Sequence, residues 1–408
     1  MSSSEVAAIL NHLARPVVKH DAISSNDRMS RDAPPQRTLL GGRSARAFLA
    51  DHWQKRPLLV RGAWPRFADP VSVSDLFRLA ARADCESRLV IRDRTRWRLE
   101  HGPLPAGRAR GLPPRRWTLL VQGLNHFVPA ADRLLRAFRF VPYARLDDVM
   151  VSYAAPGGGV GPHVDSYDVF LLQGRGRRRW RIAGRHRLGL DARAPLQVLR
   201  RFRPEAEWIL EPGDILYLPP GVAHEGTALE PCLTYSIGFR APPARELAAG
   251  FLAFLEDRLD PGERRYADPD RAPARRPAAL DDALVERCAA MLAAVRWTRG
   301  DIEAFLGAFF SEPKPHVRFF PPARPLGRRA FEREAARAGV RLAGASGMLF
   351  RRGAVYLNGE RIAAAGRTRR VLERLADERA LPPGTSVTPT AAALLYTWYR
   401  AGWIALAD

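Results

Sequence analysis

The sequence predicts an α+β fold, in which a barrel or double-sheet jelly roll of short strands is followed by helices and a small mixed module. Two observations carry this prediction. From Asp148 to about residue 242, short β-rich runs alternate with glycine and proline turns, which is typical of antiparallel barrels and jelly rolls. From Pro242 onward helical patterns take over, and after Phe319 two helices flank a hairpin signal at Asn358-Gly359. Helices around one hairpin indicate a winged-helix-like module.

Before the barrel, apolar spacing and capping residues predict each element in turn. The order is a flexible polar arm over residues 1–36, a helix over 44–53 with Ser44 as its N-cap, a strand at Leu58–Val60, a helix from Ser74, short strands between 89 and 122, and a helix from Pro129 to Phe138. In the barrel, the strand runs are VMVSYA, DVFLLQG, RRRWRIA, AEWILEPGDILYLPP and LTYSIGFR. The helices that follow are ELAAGFLAFLEDRL, LDDALVERCAAMLAAV and DIEAFLGAFFS.

Length and composition limit the class of protein. The chain has 408 residues, enough for two or three domains, and 46% of them are hydrophobic, which excludes complete disorder. No run of about 18 apolar residues exists and the N-terminus lacks a secretory pattern, so we expect a soluble cytoplasmic protein without a membrane partner. Three cysteines without CxxC spacing argue against a disulfide framework or a thiolate zinc site. Any metal would therefore be held by histidine and carboxylate.

The chain is strongly basic, with 65 Lys+Arg against 43 Asp+Glu and a formal net charge of +22. Only three of the bases are lysine, a skew typical of a GC-rich genome. That skew explains arginine over lysine, but not the excess of bases over acids. The excess predicts attraction to polyanions, nucleic acid included, and leaves open whether this attraction is functional.

The helices after the barrel carry more apolar residues than one barrel face can cover. The surplus residues are Phe251, Leu252, Phe254, Leu255, Met291, Leu292, Phe305, Leu306, Phe309 and Phe310. A large uncovered apolar patch marks an interface, and an isologous two-fold contact would cover it. We therefore predict a homodimer through this region. The alternative is a chain in which these helices pack only within the monomer.

The segment from Val151 to Phe170 carries the chemistry. His163 and Asp165 lie two residues apart, and in a strand such residues point to the same face. An HxD pair alone is a weak signal, but His224 follows the run EPGDILYLPPG and supplies a third ligand from a distant strand. This 2-His-1-carboxylate set is typical of non-haem Fe(II) oxygenases. It leaves three octahedral positions open, two for a chelating 2-oxo acid and one for O2, whereas a tetrahedral catalytic zinc leaves one.

A 2-oxo acid co-substrate such as 2-oxoglutarate needs a cation for its distal carboxylate, and Arg178 is the candidate. By strand alternation Arg178 faces the apolar interior with Trp180 and Ile182, whereas Arg177 and Arg179 face outward. A buried arginine requires a bound anion or an acidic partner. We therefore predict that Arg178 binds the co-substrate.

Three further features surround this candidate site. Ser152 precedes the glycine-rich loop and could hydrogen-bond the same carboxylate, Ser236 is a weaker candidate, and a structural role stays open for both. The loop Pro156–Gly161 lacks the Gly-Lys-Ser/Thr ending of a phosphate-binding loop and no helix follows it. We interpret it as a loop that turns with positive φ or passes close to the substrate beside the metal.

These motifs resemble those of JmjC-type, cupin-fold 2-oxoglutarate oxygenases, and more narrowly those of bacterial ribosomal oxygenases that hydroxylate an arginine of a large-subunit ribosomal protein. The resemblance extends over about residues 38–408 and rests on segments 48–62, 157–168, 176–180 and 218–226. It implies His163, Asp165 and His224 as iron ligands and Arg178 and Ser152 as 2-oxoglutarate-binding residues. It also implies three units after the arm: a JmjC cupin catalytic domain (37–242), a helical dimerisation region (243–312) and a winged-helix-like domain (313–408).

Three functional hypotheses follow. The first is the family reaction, hydroxylation of an arginyl β-carbon in a ribosomal protein substrate, with Fe(II) and 2-oxoglutarate. Here Asp168 is a candidate docking group for the cationic side chain. The second keeps the chemistry but places it on a histidyl or lysyl residue of another protein, as in related JmjC enzymes. The third is a nucleic-acid-binding protein with an inactive cupin, which the charge and the C-terminal module favour and the complete His/Asp/His set opposes.

Overall fold

The computed structural model describes residues 33–93, 96–184, 189–256, 258 and 265–407. Residues 1–32 of the predicted arm lie outside the described residues, and the arm's last residue begins a short helix, α1 (Gln36–Leu39). Within the described part of the chain, no helix is long and apolar enough to cross a membrane.

The elements that precede the barrel follow the predicted order. They are α2 (Ala45–Asp51), β1 (Leu58–Val60), α3 (Val73–Ala80), β2 (Ser87–Asp93), β3 (Arg96–His101), β4 (Trp117–Val121), α4 (Leu124–Phe127) and α5 (Pro129–Arg136). The Ser44 hydroxyl caps α2 by accepting a hydrogen bond from the Ala47 amide at 3.1 Å, as predicted. A capping box between Ser72 and Asp75 begins α3.

The strand runs form the predicted double-sheet barrel. The strands are β5 (Leu146–Ala154), β6 (His163–Val164), β7 (Val169–Gln173), β8 (Arg178–Ala183), β9 (Ala206–Leu210), β10 (Ile215–Leu218), β11 (Ala223–Ala228) and β12 (Cys232–Phe239). An eight-stranded sheet has the order β1-β10-β7-β12-β5-β4-β2-β3, and a four-stranded sheet has the order β6-β11-β8-β9. All pairings within both sheets are antiparallel.

Alternation along β7 shows how the large sheet divides two cores. Phe170 and Leu172 pack into a cluster that includes Phe48 of α2, with the Phe48 and Phe170 ring centroids 5.5 Å apart. The neighbouring Val169 and Leu171 belong to an interior cluster with residues of β8 and β10. One face of the sheet is therefore covered by helices, and the other lines the barrel interior.

The C-terminal third is helical and then mixed. Its elements are α6 (Ala244–Glu256), α7 (Asp282–Ala293), α8 (Arg299–Ser311), α9 (Arg328–Ala338), β13 (Val340–Leu342), β14 (Met348–Arg351), β15 (Ala354–Leu357), β16 (Glu360–Ile362), α10 (Gly366–Glu378), β17 (Ala380–Leu381), α11 (Pro389–Arg400) and β18 (Ile404–Leu406). The predicted hairpin is confirmed, because β15 and β16 pair around Asn358 and Gly359, whose φ angles are 52° and 89°.

The apolar surplus of α6–α8 divides into covered and exposed side chains. Phe305 is buried within the chain, with its ring centroid 5.4 Å from that of Phe251, and Leu255 is buried too. In contrast, Leu252 is 64% exposed and Leu292 is 74% exposed. The uncovered set is therefore smaller than the sequence suggests, and it lies on α6 and α7.

Candidate active site

Three side chains converge where β6 and β11 pair. His163 lies directly opposite His224 in this antiparallel register, and their ring centroids are 4.2 Å apart. Asp165 follows β6, with one carboxylate oxygen 4.0 Å from His163 Nε2 and the other 3.6 Å from His224 Nε2. Among the described residues, only these three form a group of histidine and acidic side chains close enough to hold one metal ion.

Backbone carbonyls orient both imidazoles. His163 Nδ1 lies 2.9 Å from the Gly161 carbonyl oxygen, and His224 Nδ1 lies 3.0 Å from the Val222 carbonyl oxygen. Because a carbonyl only accepts, each Nδ1 donates to it, and each Nε2 is left on the side of Asp165 as the nitrogen available to a metal. Burial, and then the neighbouring His163, lower the pKa of His224 to about 4. His224 is therefore neutral at pH 7 and suited to bind a metal.

Arg178 is buried inside the barrel, as its alternation with Trp180 predicts. Its Nη1 donates to the Ser152 hydroxyl at 3.1 Å, while its Nε and Nη2 have no partner among the described residues. A buried guanidinium with two unpaired donors is suited to an anion. Its neighbour Arg177 points outward and pairs with Glu230 at 3.1 Å.

The two sheets enclose a cavity of about 660 Å³ that contains both groups. Asp148, Met150 and Ser152 alternate along β5 and all line it. At about 3.3 Å per residue, Asp148 lies about 13 Å along the strand from Ser152. The cavity therefore runs from Arg178 at one end to an acidic side chain at the other.

Ser236 also lines the cavity, opposite Met150 on the neighbouring strand, but it does not hydrogen-bond Arg178. Two further buried donors at the cavity wall, Thr118 Oγ1 and Trp180 Nε1, have no partner in the described part of the chain. Together with Arg178 they give the cavity a wall of unpaired donors, which suits a bound carboxylate or carbonyl oxygen.

The glycine-rich loop has a backbone role beside this cavity. Gly157 and Gly161 have φ angles of 73° and 79°, which favour glycine, as predicted. At Gly158 a Cβ atom would collide with the Trp117 carbonyl oxygen, and at Gly159 with that of Gly226. The close approach that requires glycine is thus to neighbouring strands.

Asp168 does not reach the cavity, unlike the docking group expected from the sequence. It is fully buried, and its carboxylate accepts hydrogen bonds from the Tyr217 hydroxyl at 2.6 Å and from Gln54 Nε2 at 2.9 Å. Arg145 Nη2 lies 3.6 Å away. The chain bends at Ser166 and Tyr167 between Asp165 and β7, and this turns Asp168 away from the cavity. The geometry favours a structural role for Asp168.

On β5, two acidic side chains do line the cavity, Asp147 and Asp148, and the sequence did not single them out. Both carboxylate oxygens of Asp148 accept from Gln122 Nε2, at 3.0 and 2.9 Å. Burial, and then the adjacent Asp147, raise the pKa of Asp148. The sequence does contain a pattern that indicates them. An acidic pair lies near the start of a mainly apolar strand, and Asp148, four residues before Ser152, points to the same face.

Comparisons with known proteins agree with this architecture. A JmjC domain model matches residues 133–247, and a ROXA-like winged-helix model matches residues 294–405. The chain is similar to the ribosomal protein uL16 3-hydroxylase of Escherichia coli (strain K12), at 40% identity over 281 residues that span 68% of this chain and 74% of that protein. A probable ribosomal oxygenase of Haemophilus influenzae is 39% identical over 208 residues, which span 50% of this chain and 51% of that protein.

A solved structure is similar over nearly the whole described fold. It is that of the Escherichia coli ribosomal oxygenase YcfD in complex with cobalt and 2-oxoglutarate. The match has a TM-score of 0.76 and 35% sequence identity, and it covers 89% of this chain and 98% of that chain. With its barrel, its His-Asp-His group and its C-terminal module, the chain belongs to the family of JmjC-domain ribosomal oxygenases.

Proposed function

We propose that the chain is an Fe(II)- and 2-oxoglutarate-dependent oxygenase that hydroxylates the β-carbon of an arginyl residue in a large-subunit ribosomal protein. The relative named ribosomal protein uL16 3-hydroxylase supports the substrate class. The related structure with cobalt and 2-oxoglutarate supports the cofactors. One observation carries the proposal: a single cavity combines a His-Asp-His group with a buried arginine whose unpaired donors suit a carboxylate.

Two groups of residues in the cavity have separate roles in this reaction, one toward the metal and one toward 2-oxoglutarate. We assign the metal to Nε2 of His163, Nε2 of His224 and the Asp165 carboxylate. Fe(II), when bound there, supplies the O2-dependent chemistry that couples decarboxylation of 2-oxoglutarate to hydroxylation of a C–H bond. Arg178 holds the distal carboxylate by charge-assisted hydrogen bonds, and Ser152 orients the guanidinium. The co-substrate is thereby held by its distal end.

At the other end of the cavity, Asp148 suits a cationic substrate side chain. It lies on the same strand face as Ser152. The length of β5 between these two residues therefore sets the distance between the substrate side chain and the 2-oxoglutarate carboxylate. A guanidinium bound to a buried carboxylate is held by charge-assisted hydrogen bonds. This arrangement favours an arginyl substrate over a neutral one. A lysyl or histidyl substrate is the second candidate, and the experiment below separates them.

The hypothesis of an inactive cupin requires the metal group or the cavity to be incomplete. His163, Asp165 and His224 are all present, and one ligand atom from each lies within 4.8 Å of the other two, which weighs against it. The basic charge and the C-terminal module remain compatible with an additional contact to nucleic acid. That contact stays a separate prediction, because it does not depend on the cavity.

We also propose that the protein acts as a homodimer in the cytoplasm, where a ribosomal protein substrate is found. Leu252 of α6 and Leu292 of α7 are exposed, as are Val285 and Trp297 nearby. A second copy of the chain would cover exposed apolar side chains on both partners at once. This assigns residues 243–312 to dimerisation, residues 37–242 to catalysis and residues 313–408 to a winged-helix-like domain.

Mass spectrometry of ribosomal proteins from strains with and without the gene tests this function. We expect one large-subunit protein to carry an additional oxygen atom on an arginine only when the gene is present. In parallel, the purified protein is incubated with Fe(II), 2-oxoglutarate and peptides that contain that arginine, or lysine or histidine in its place. Oxygen on the lysyl or histidyl peptide alone would favour the second candidate. Absence of both succinate and modified peptide would contradict an oxygenase.

A further inference from the structure

Lys314, in the segment between α8 and α9, reaches the acidic end of the cavity. Its Nζ donates to the Asp147 carboxylate at 2.9 Å and lies 3.8 Å from the Asp148 carboxylate. Lys314 itself lines the cavity with these two acids. It is one of only three lysines in a chain with 65 basic residues.

Two effects work against a charged Asp148. Asp148 is buried, and the side chain that hydrogen-bonds it in the described structure is the neutral amide of Gln122. Burial and an adjacent carboxylate both favour protonation of a carboxyl group. A protonated Asp148 would attract a guanidinium only weakly. Lys314 opposes both effects because it places a positive charge beside the pair.

The distances indicate that Lys314 does not compete with the substrate side chain for Asp148. Lys314 Nζ is within hydrogen-bond distance of Asp147 but not of Asp148. The lysine therefore stabilises the charge of Asp148 without occupying its oxygens. An incoming guanidinium can still donate to Asp148.

The C-terminal module holds this lysine in place. The end of α8 is tied to the barrel, since Arg240 Nη1 donates to the Phe310 carbonyl oxygen at 3.1 Å. It is tied to the β15–β16 hairpin, since the Gly359 amide donates to the buried Ser311 hydroxyl at 3.0 Å. Lys314 follows three residues after this double anchor. The position of the lysine thus depends on both units.

We propose that Lys314 is a positioning residue that keeps Asp148 ionised, so that Asp148 selects a cationic side chain. This inference rests on the proposed function in one respect: it assumes that the substrate side chain enters at Asp148. If Lys314 has this role, the segment between α8 and α9 takes part in substrate selection.

The test compares binding of an arginyl peptide with binding of the same peptide containing citrulline, which has nearly the same shape but no charge. Affinities are measured by calorimetry on the Co(II)-loaded protein with 2-oxoglutarate. The variants are Lys314→Met and Lys314→Arg, and Arg318→Met is the control. Arg318→Met also removes one positive charge from this segment, but Arg318 is exposed and donates to backbone carbonyl oxygens instead of to the two acids.

We expect the wild-type protein to prefer arginine over citrulline, and Lys314→Met to reduce that preference about tenfold, which corresponds to about 1.4 kcal/mol. Lys314→Arg and Arg318→Met should keep it, and the affinity for 2-oxoglutarate should be unchanged in all variants. An unchanged or larger preference in Lys314→Met would overturn the proposal, as would a wild-type protein with no preference.

Two further measurements keep the result interpretable. A thermal melt and 2-oxoglutarate binding verify that Lys314→Met is folded, and if it is not, Lys314→Gln is measured in the same way. Failure of the proposed function has a different signature, since the wild-type protein would then form neither succinate nor hydroxylated peptide.

Discussion

His163 and His224 are register partners across β6 and β11, and each donates from Nδ1 to the carbonyl oxygen of the residue two positions before it. The two imidazoles are thus oriented by matching local contacts on two different strands. Asp165 closes the third side of the group. Backbone contacts thus orient both histidine ligands before a metal binds, which lowers the cost of assembling the site.

Replacing Asp165 with alanine should abolish metal-dependent turnover of 2-oxoglutarate. Asp165 is the only anionic ligand of the group, so we expect its loss to weaken Co(II) binding by more than about 100-fold. Calorimetry with Co(II) measures the affinity, and succinate formation measures turnover. Asp51→Ala is the matched control, because Asp51 is exposed on α2. Wild-type turnover in Asp165→Ala would refute the metal assignment.

Arg178 should determine the affinity for 2-oxoglutarate. Loss of a charge-assisted contact in a partly dry cavity costs about 2–4 kcal/mol, which corresponds to roughly 30- to 1000-fold. We therefore expect Arg178→Ala to raise the KM for 2-oxoglutarate within that range. Arg177→Ala should change it little, since Arg177 is outside the barrel and pairs with Glu230. The inward-facing assignment fails if steady-state kinetics give equal effects at the two positions.

Strand alternation made part of the site predictable from sequence. It correctly indicated that Arg178 is buried with Trp180, because burial along a barrel strand follows a period of two. The acidic end of the cavity was not predictable in this way. Lys314 contacts Asp147 across more than 160 positions of the chain, and no local pattern reports a contact between a linking segment and a strand. The bounds of polar edge strands are equally hard to predict, since none of the six side chains of β3 is fully buried.

Asp148 should bind the substrate side chain, and Asp168 should not. Asp148→Asn keeps the size of the side chain but removes its charge, so we expect the KM for an arginyl peptide to rise about 10- to 100-fold with the KM for 2-oxoglutarate unchanged. Asp168→Asn should instead lower the melting temperature, because it alters the buried hydrogen bonds from Tyr217 and Gln54. Steady-state kinetics and thermal melts separate the two outcomes. A peptide KM that responds only to Asp168→Asn would reverse the assignment.

Acid should destabilise the fold through His126, whose pKa is lowered to about 4 by burial and then by Lys314. In the unfolded chain this imidazole takes up a proton near pH 6.5, whereas in the folded chain it does so only near pH 4. Its contribution is therefore absent at pH 7, and stability falls as the pH decreases through this window, by at most about 3 kcal/mol. We expect His126→Gln to show a shallower loss of melting temperature between pH 7 and pH 5 than the wild type. Parallel curves would contradict this role.

Light scattering at micromolar concentration should report about twice the monomer mass of 45.4 kDa. The interface variant is Leu252→Glu combined with Leu292→Glu, since both side chains are exposed and a charge there costs the monomer little. Phe305→Glu is the informative contrast. It places a charge among Phe251 and Phe254 inside the chain, so it should lower the melting temperature whatever the oligomeric state.

The two variants separate an interface from a core. A dimer that dissociates in the double leucine variant, with an unchanged melting profile of each subunit, would locate the contact on α6 and α7. A wild-type protein that stays monomeric, or a double variant that stays dimeric, would show that these helices do not form the contact. If the double variant stays dimeric, the exposed Leu252 and Leu292 do not form the interface, and another surface of the chain must join the subunits.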